Sequence, residues 1–139
     1  MEQQQQLMGY ASALGRDPEE TYRRIDLAGR TAEADGPALV QLLYDELVRA
    51  LRVAGWAIDN RNFAMKSEKI TRATAILFAL ESGLDYQAGG ELSYTLARLY
   101  GGARRQIVDA SIGHDPAPFR EVATSLEEIS AAWATMRAA

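Results

Sequence analysis

Apolar residues recur every three or four positions along most of this chain, with polar residues filling the intervals. Leu39, Leu43, Leu47, Leu51, Ala54 and Ile58 form one such stripe, the mark of a helix with a single buried face. Val40 and Leu42 widen it. The next stripe runs through Ile70, Ala73, Leu77, Leu80 and Leu84, and a third through Leu92, Leu96, Leu99, Ala103 and Ile107. Phe119, Val122, Leu126, Ile129, Trp133 and Met136 fall on a heptad seam. Nowhere do apolar and polar residues alternate as a half-buried strand requires.

Breaks between the stripes carry helix-start chemistry. Asp17-Pro18-Glu19-Glu20 offers a cap, a first-turn proline and a capping-box acid, opening a short helix that fades before Asp35. Asp35-Gly36-Pro37 opens the second helix, Asn62 is placed to cap the third, and Asp115-Pro116 begins the last. Residues 1–16 are Gln-rich and lack a core pattern, which predicts a mobile arm ahead of a single domain at 17–139. Short connections between long helices force antiparallel neighbours. The expected fold is all-α: an antiparallel up-down four-helix bundle with a short additional N-terminal helix, five helices in all. Seam spacing near 3.5 predicts shallow, left-handed crossings.

Composition narrows the function classes. A chain of 139 residues can bury a core without staples, and the absence of cysteine removes disulfides, thiolate metal sites and cysteine nucleophiles. A formal charge of −4 and a pI near 5.0 argue against nucleic-acid binding. No apolar run approaches the roughly 20 residues that span a bilayer. Met1-Glu2-Gln3-Gln4 lacks the basic start of a secretory signal, so a cytosolic location is expected.

A search for catalysis ends without a site. His114 has no neighbour that makes it half of a nucleophile–base pair and reads as an exposed loop residue. The Glu-x-x-His motifs of di-metal carboxylate bundles are missing, and no cofactor is implied. Gly89-Gly90 and Gly101-Gly102 lack the flanking pattern of phosphate loops. Inside a helix, each glycine at 101 and 102 costs roughly 1 kcal/mol relative to alanine, which predicts a kink or a close approach there. On the wet faces, Glu68 is expected to pair with Arg72 and Arg105 with Asp109. Arg104 reads either as part of a solvated face or as an anchor for a partner's carboxylate. The second helix is apolar around much of its circumference, and Tyr22, Tyr44, Trp56, Tyr94 and Tyr100 fall off the main seams. Either the first helix and the arm cover this surface, or it is a groove for an amphipathic segment of another protein; an arm displaced by the partner would satisfy both.

The most specific stretch is Leu84-Asp85-Tyr86-Gln87-Ala88-Gly89-Gly90-Glu91-Leu92, which holds more detail than a helix junction requires. With Leu42-Leu43-Tyr44-Asp45 upstream, it resembles the flagellar secretion chaperones of the FliS family. Leu96 followed by Leu99-Tyr100, then Arg104-Arg105, Asp115, Glu121-Val122 and Trp133 continue the likeness in order, and Tyr22-Arg23-Arg24 opens it. The pattern departs from the family where Asp35-Gly36-Pro37 replaces a Ser-Pro pair and where Gly101 follows the second Leu-Tyr in place of an acid.

The resemblance implies a non-enzymatic, cytosolic export chaperone. Its client would be the disordered C-terminal region of flagellin, kept from premature polymerisation and delivered to FlhA of the type III export gate. Tyr44, Asp45, Leu84, Asp85, Gly89, Gly90, Glu91 and Arg104 are the implied partner-binding positions. Asp85 or Glu91 is also placed to cap the helix that begins near Leu92. Tyr10 and Tyr22 are the candidates for a displaceable N-terminal cover. A helical-bundle adaptor that regulates another flagellar or secretion protein is the alternative.

Overall fold

The computed structural model describes residues 36–138, with side chains from residue 38 to residue 135. The expected arm and first helix lie outside the described residues. Five helices and no strand are found within them: α1 (Gly36–Asp59), α2 (Phe63–Ser82), α3 (Tyr86–Gly89), α4 (Glu91–Ala110) and α5 (Ala117–Ala138). The chain divides between Leu42 and Leu43, and the bundle described below is built from the residues after that point.

Side-chain pairs fix the directions of the long helices. Arg52 on α1 bonds to Glu127 on α5 at 2.8 Å, and seven residues later Asp59 pairs with Arg120, so the two helices run antiparallel. Gly55 makes this crossing possible, because a Cβ there would sit 3.3 Å from the Arg120 guanidinium nitrogen Nε. On the other side of α1, Glu46 meets Arg72 of α2 at 2.9 Å. Arg104 of α4 returns to Glu81 of α2, also at 2.9 Å. The helices therefore alternate in direction around an all-α bundle, as the seams predict.

The seams supply the core. Leu47, Leu51, Ala54 and Ile58 of α1 are buried with Ala73, Leu77 and Leu80 of α2, Leu96, Ala103 and Ile107 of α4, and Phe119, Val122 and Leu126 of α5. Burying a side chain of this size is worth roughly 1.5–3 kcal/mol, so these residues dominate the stability. Leu92 is the exception on its seam and stays exposed. It stands in the first turn of α4, where periodicity continues but no facing helix covers it.

Helix ends follow local chemistry. Asn62 accepts a hydrogen bond from the Met65 amide at 3.1 Å, the cap expected of it. Just before it, α1 closes with Asn62 N donating to the Ala57 carbonyl at 2.8 Å and Arg61 N to Ile58 at 3.1 Å. This is a Schellman closure, and it places Arg61 at φ 54°, a left-handed position that glycine usually fills. Asp115 accepts from the Ala117 amide at 3.0 Å and opens α5.

Candidate functional site

The connection between α2 and α4 explains its own sequence. Asp85 stands before α3, and its carboxylate accepts the Gln87 and Ala88 amides, both at 3.0 Å. Asp85 thus caps the one-turn helix α3 and not α4, where its capping role was expected; a four-residue helix leaves no periodic trace to reveal it. Glu91 does lie in the first turn of α4, but α4 has no side-chain cap, and Glu91 favours that end only through the helix dipole.

Both glycines are dictated by the geometry. Gly90 adopts φ 54° and ψ −128°, a backbone region open to glycine and closed to residues with a Cβ. A Cβ on Gly89 would overlap the hydroxyl of Ser93. That hydroxyl is buried and donates to the Asp85 carbonyl at 2.8 Å, tying the start of α4 back to the end of α2. Ser93 was not singled out in the sequence, and no signal short of the fold itself identifies it. On the outside of this connection, Tyr86 and Tyr94 stack with ring centroids 4.8 Å apart and remain partly exposed.

Tyr44 is a core residue. It is 1% exposed and Tyr100 2%, and their hydroxyls meet at 2.5 Å across two helices that run in the same direction. Burial raises the pKa of Tyr44 well above the ordinary phenol value, and the bond to Tyr100 adds to the shift. Burial raises Tyr100 as well, with the Tyr44 bond opposing it. Of the aromatic residues off the seams, these two therefore line the interior, while Trp56 and Tyr94 face solvent. Asp45 is exposed beside Tyr44, and Leu84 is half-buried at the end of α2.

Arg104 holds Glu81 with one guanidinium nitrogen and lies 5.7 Å above the ring of Phe78, itself 62% exposed. Arg104 stands thirteen residues after Glu91, about 20 Å along α4 at roughly 1.5 Å per residue. The sequence-derived positions thus occupy separate places: Asp85, Gly89, Gly90 and Glu91 at the α2–α4 connection, Tyr44 in the core, and Arg104 on an outer face. Tyr10 and Tyr22 lie outside the described residues.

Two buried cations escaped the sequence reading. Arg72 was assigned to a wet-face pair with Glu68. Instead it is 5% exposed and pairs with Glu46 of α1, and burial lowers its pKa. Lys66 is 7% exposed and donates to the carbonyls of Ser111 at 3.0 Å and Gly113 at 2.7 Å. It thereby places a positive charge against the free carbonyls that end α4, as the helix dipole favours.

Expectations for Gly101-Gly102 and Arg105 also need correction. Helix α4 is continuous through the glycines, and a Cβ at either would meet only the Arg105 side chain, at 3.7 and 4.0 Å. No part of the described chain approaches closely enough to require them. Among the described residues, Arg105 forms no ion pair with Asp109. Between α4 and α5 runs an open cavity of about 350 Å³, with Gly102, Leu99, Ala103, Val122 and Leu126 in its lining.

Nothing in the described residues supplies reaction chemistry. They contain no cluster of acids and histidines able to hold a metal ion, and no helix long and apolar enough to cross a membrane. His114 is exposed between α4 and α5, with its ring 5.3 Å from that of Phe63.

Comparison with known proteins decides the relationship. The family model of the flagellar protein FliS matches residues 18–139, nearly the whole chain. The chain belongs to the FliS family. Among its relatives, the flagellar secretion chaperone FliSB of Pseudomonas aeruginosa is 29% identical over 112 residues, covering 81% of this chain and 89% of the relative. The flagellar secretion chaperone FliS of Vibrio cholerae is 26% identical over 114 residues, covering 82% and 84%. That of Salmonella typhimurium is 27% identical over 115 residues, covering 82% and 85%. The FliS family is one of flagellar secretion chaperones and not of enzymes, which agrees with the failed search for catalysis.

Proposed function

We propose that this FliS-family chain is a cytosolic export chaperone for flagellin. It binds the disordered C-terminal region of its client, prevents premature polymerisation and delivers the subunit to the flagellar type III export apparatus, with FlhA as the receiving component. The observation that carries this reading is the family match over residues 18–139, together with relatives whose names are those of flagellar secretion chaperones.

The physical surface suits the task. A disordered segment that orders on binding loses conformational entropy, so the chaperone must offer apolar contact to compensate. Trp56, Phe78, Leu92, Tyr94, Val108 and Ile112 are each at least half exposed, spread over α1, α2, α4 and the segment after α4. A client that wraps the bundle meets such residues in succession. The structural role of the Asp85–Ser93 network is to hold the start of α4, and with it Leu92 and Tyr94, in place for that contact.

Seeded filament growth tests the proposal. Monomeric flagellin is added to short filament fragments and elongation is followed by light scattering. An equimolar amount of this chain is expected to suppress elongation, and removal of the chaperone to restore it. Elongation at an unchanged rate contradicts a flagellin-holding role and favours an adaptor for another flagellar component.

A further inference from the structure

We infer that the groove between α4 and α5 seats an amphipathic helix of the exported client, crossing α4 closely at Gly102. This rests on the chaperone reading above and assigns it a specific contact. The groove is about 350 Å³, open to solvent, with an apolar floor of Leu99, Ala103, Val122 and Leu126. Gly102 stands in its wall, inside a continuous helix where glycine is the least favourable residue except proline. Its backbone is helical, so no special dihedral demands it. A Cβ would meet nothing nearer than Arg105 Nη2 at 4.0 Å, so no packing within the described chain demands it either. A glycine that weakens its own helix and clears no internal neighbour leaves room for an external one, since lack of a Cβ lets another backbone come close.

Charge at the rim narrows the occupant. Glu121 lines the α5 side of the groove, and the Arg105 guanidinium lies beside Gly101 and Gly102 on the α4 side. Both side chains are exposed, and neither forms an ion pair among the described residues. A helix laid between them with its apolar face down is matched by a basic residue toward Glu121 and an acidic one toward Arg105. A small residue at the point of crossing completes the fit to Gly102.

Titration calorimetry of the full chain with the flagellin C-terminal region tests this, using Gly102→Ala, Gly102→Leu and Glu121→Lys. Thermal melts of each variant accompany the titrations. Gly102→Ala is expected to melt no lower than the wild type while binding several-fold more weakly, a gain in helix stability set against function. Gly102→Leu is expected to weaken binding by about tenfold or more, as overpacking of a fitted contact does. Glu121→Lys is expected to weaken it with little change in melting. If the wild type binds the region and both Gly102 variants bind equally well, the groove assignment is overturned and the chaperone reading stands. Failure of the wild type to bind overturns both.

Discussion

Replacing Tyr44 or Tyr100 by phenylalanine removes one hydroxyl from a buried pair and strands the other. The two rings are almost wholly enclosed, their hydroxyls are 2.5 Å apart, and each is the other's hydrogen-bond partner. A stranded buried hydroxyl loses its partner without regaining water, at about 1–3 kcal/mol. Each single variant is therefore expected to lose about that amount. The double variant leaves nothing stranded, so its loss should be smaller than the sum of the two singles, with a coupling of about 1–3 kcal/mol. Urea unfolding followed by far-UV circular dichroism, on the wild type, both singles and the double at neutral pH, gives the full cycle. Additive losses, with the double equal to the sum of the singles, would refute the claim that these hydroxyls satisfy each other.

Further expectations concern pH and the helix ends. Burial raises both tyrosine pKa values above that of the unfolded chain, ordinarily about 10. Above that pH the unfolded state releases phenol protons first, so the pair's contribution is complete below pH about 10 and declines as pH rises toward the folded values; alkaline unfolding should shift to higher pH in the double phenylalanine variant, and an identical profile would contradict this. Lys66→Met removes two charged hydrogen bonds from the end of α4 and should cost about 1.5–3 kcal/mol in urea unfolding, while a change under 0.5 kcal/mol would count against the capping role. Gly90→Ala forces a Cβ into a backbone region it avoids and should cost about 1–3 kcal/mol by the same measurement. Gly89→Ala should also destabilise, and Ser93→Ala in its background should recover part of the loss by removing the overlapping hydroxyl; no recovery would show that the overlap is not the cause.

The stripes of apolar residues made the four long helices legible, because burial on one face leaves a period of three to four that survives in the sequence. Asn62 and Asp115 were legible for the same local reason, since a cap and its amides lie within three residues. Tyr44 was misplaced because it neighbours the Leu43–Leu47–Leu51 stripe, and only the arrival of Tyr100 from α4 extends the buried face over it. Arg72 and Lys66 looked like surface cations, because the groups that permit their burial come from other helices, 45 and 47 residues away in the case of Lys66. The Gly89-Gly90 pair was visible as a turn, yet its necessity depends on the Ser93 hydroxyl and on a dihedral that spacing does not reveal. Gly102 is the opposite case. The fold does not account for it, and its reason is sought in the partner.

The central claim is that a FliS-family bundle recognises the C-terminal region of flagellin. Isothermal titration of the full chain with intact flagellin, and with flagellin truncated at its C-terminus, tests it most directly. The account predicts saturable, equimolar binding to intact flagellin that is lost on truncation. Equal binding to both proteins, or binding to neither, would contradict it.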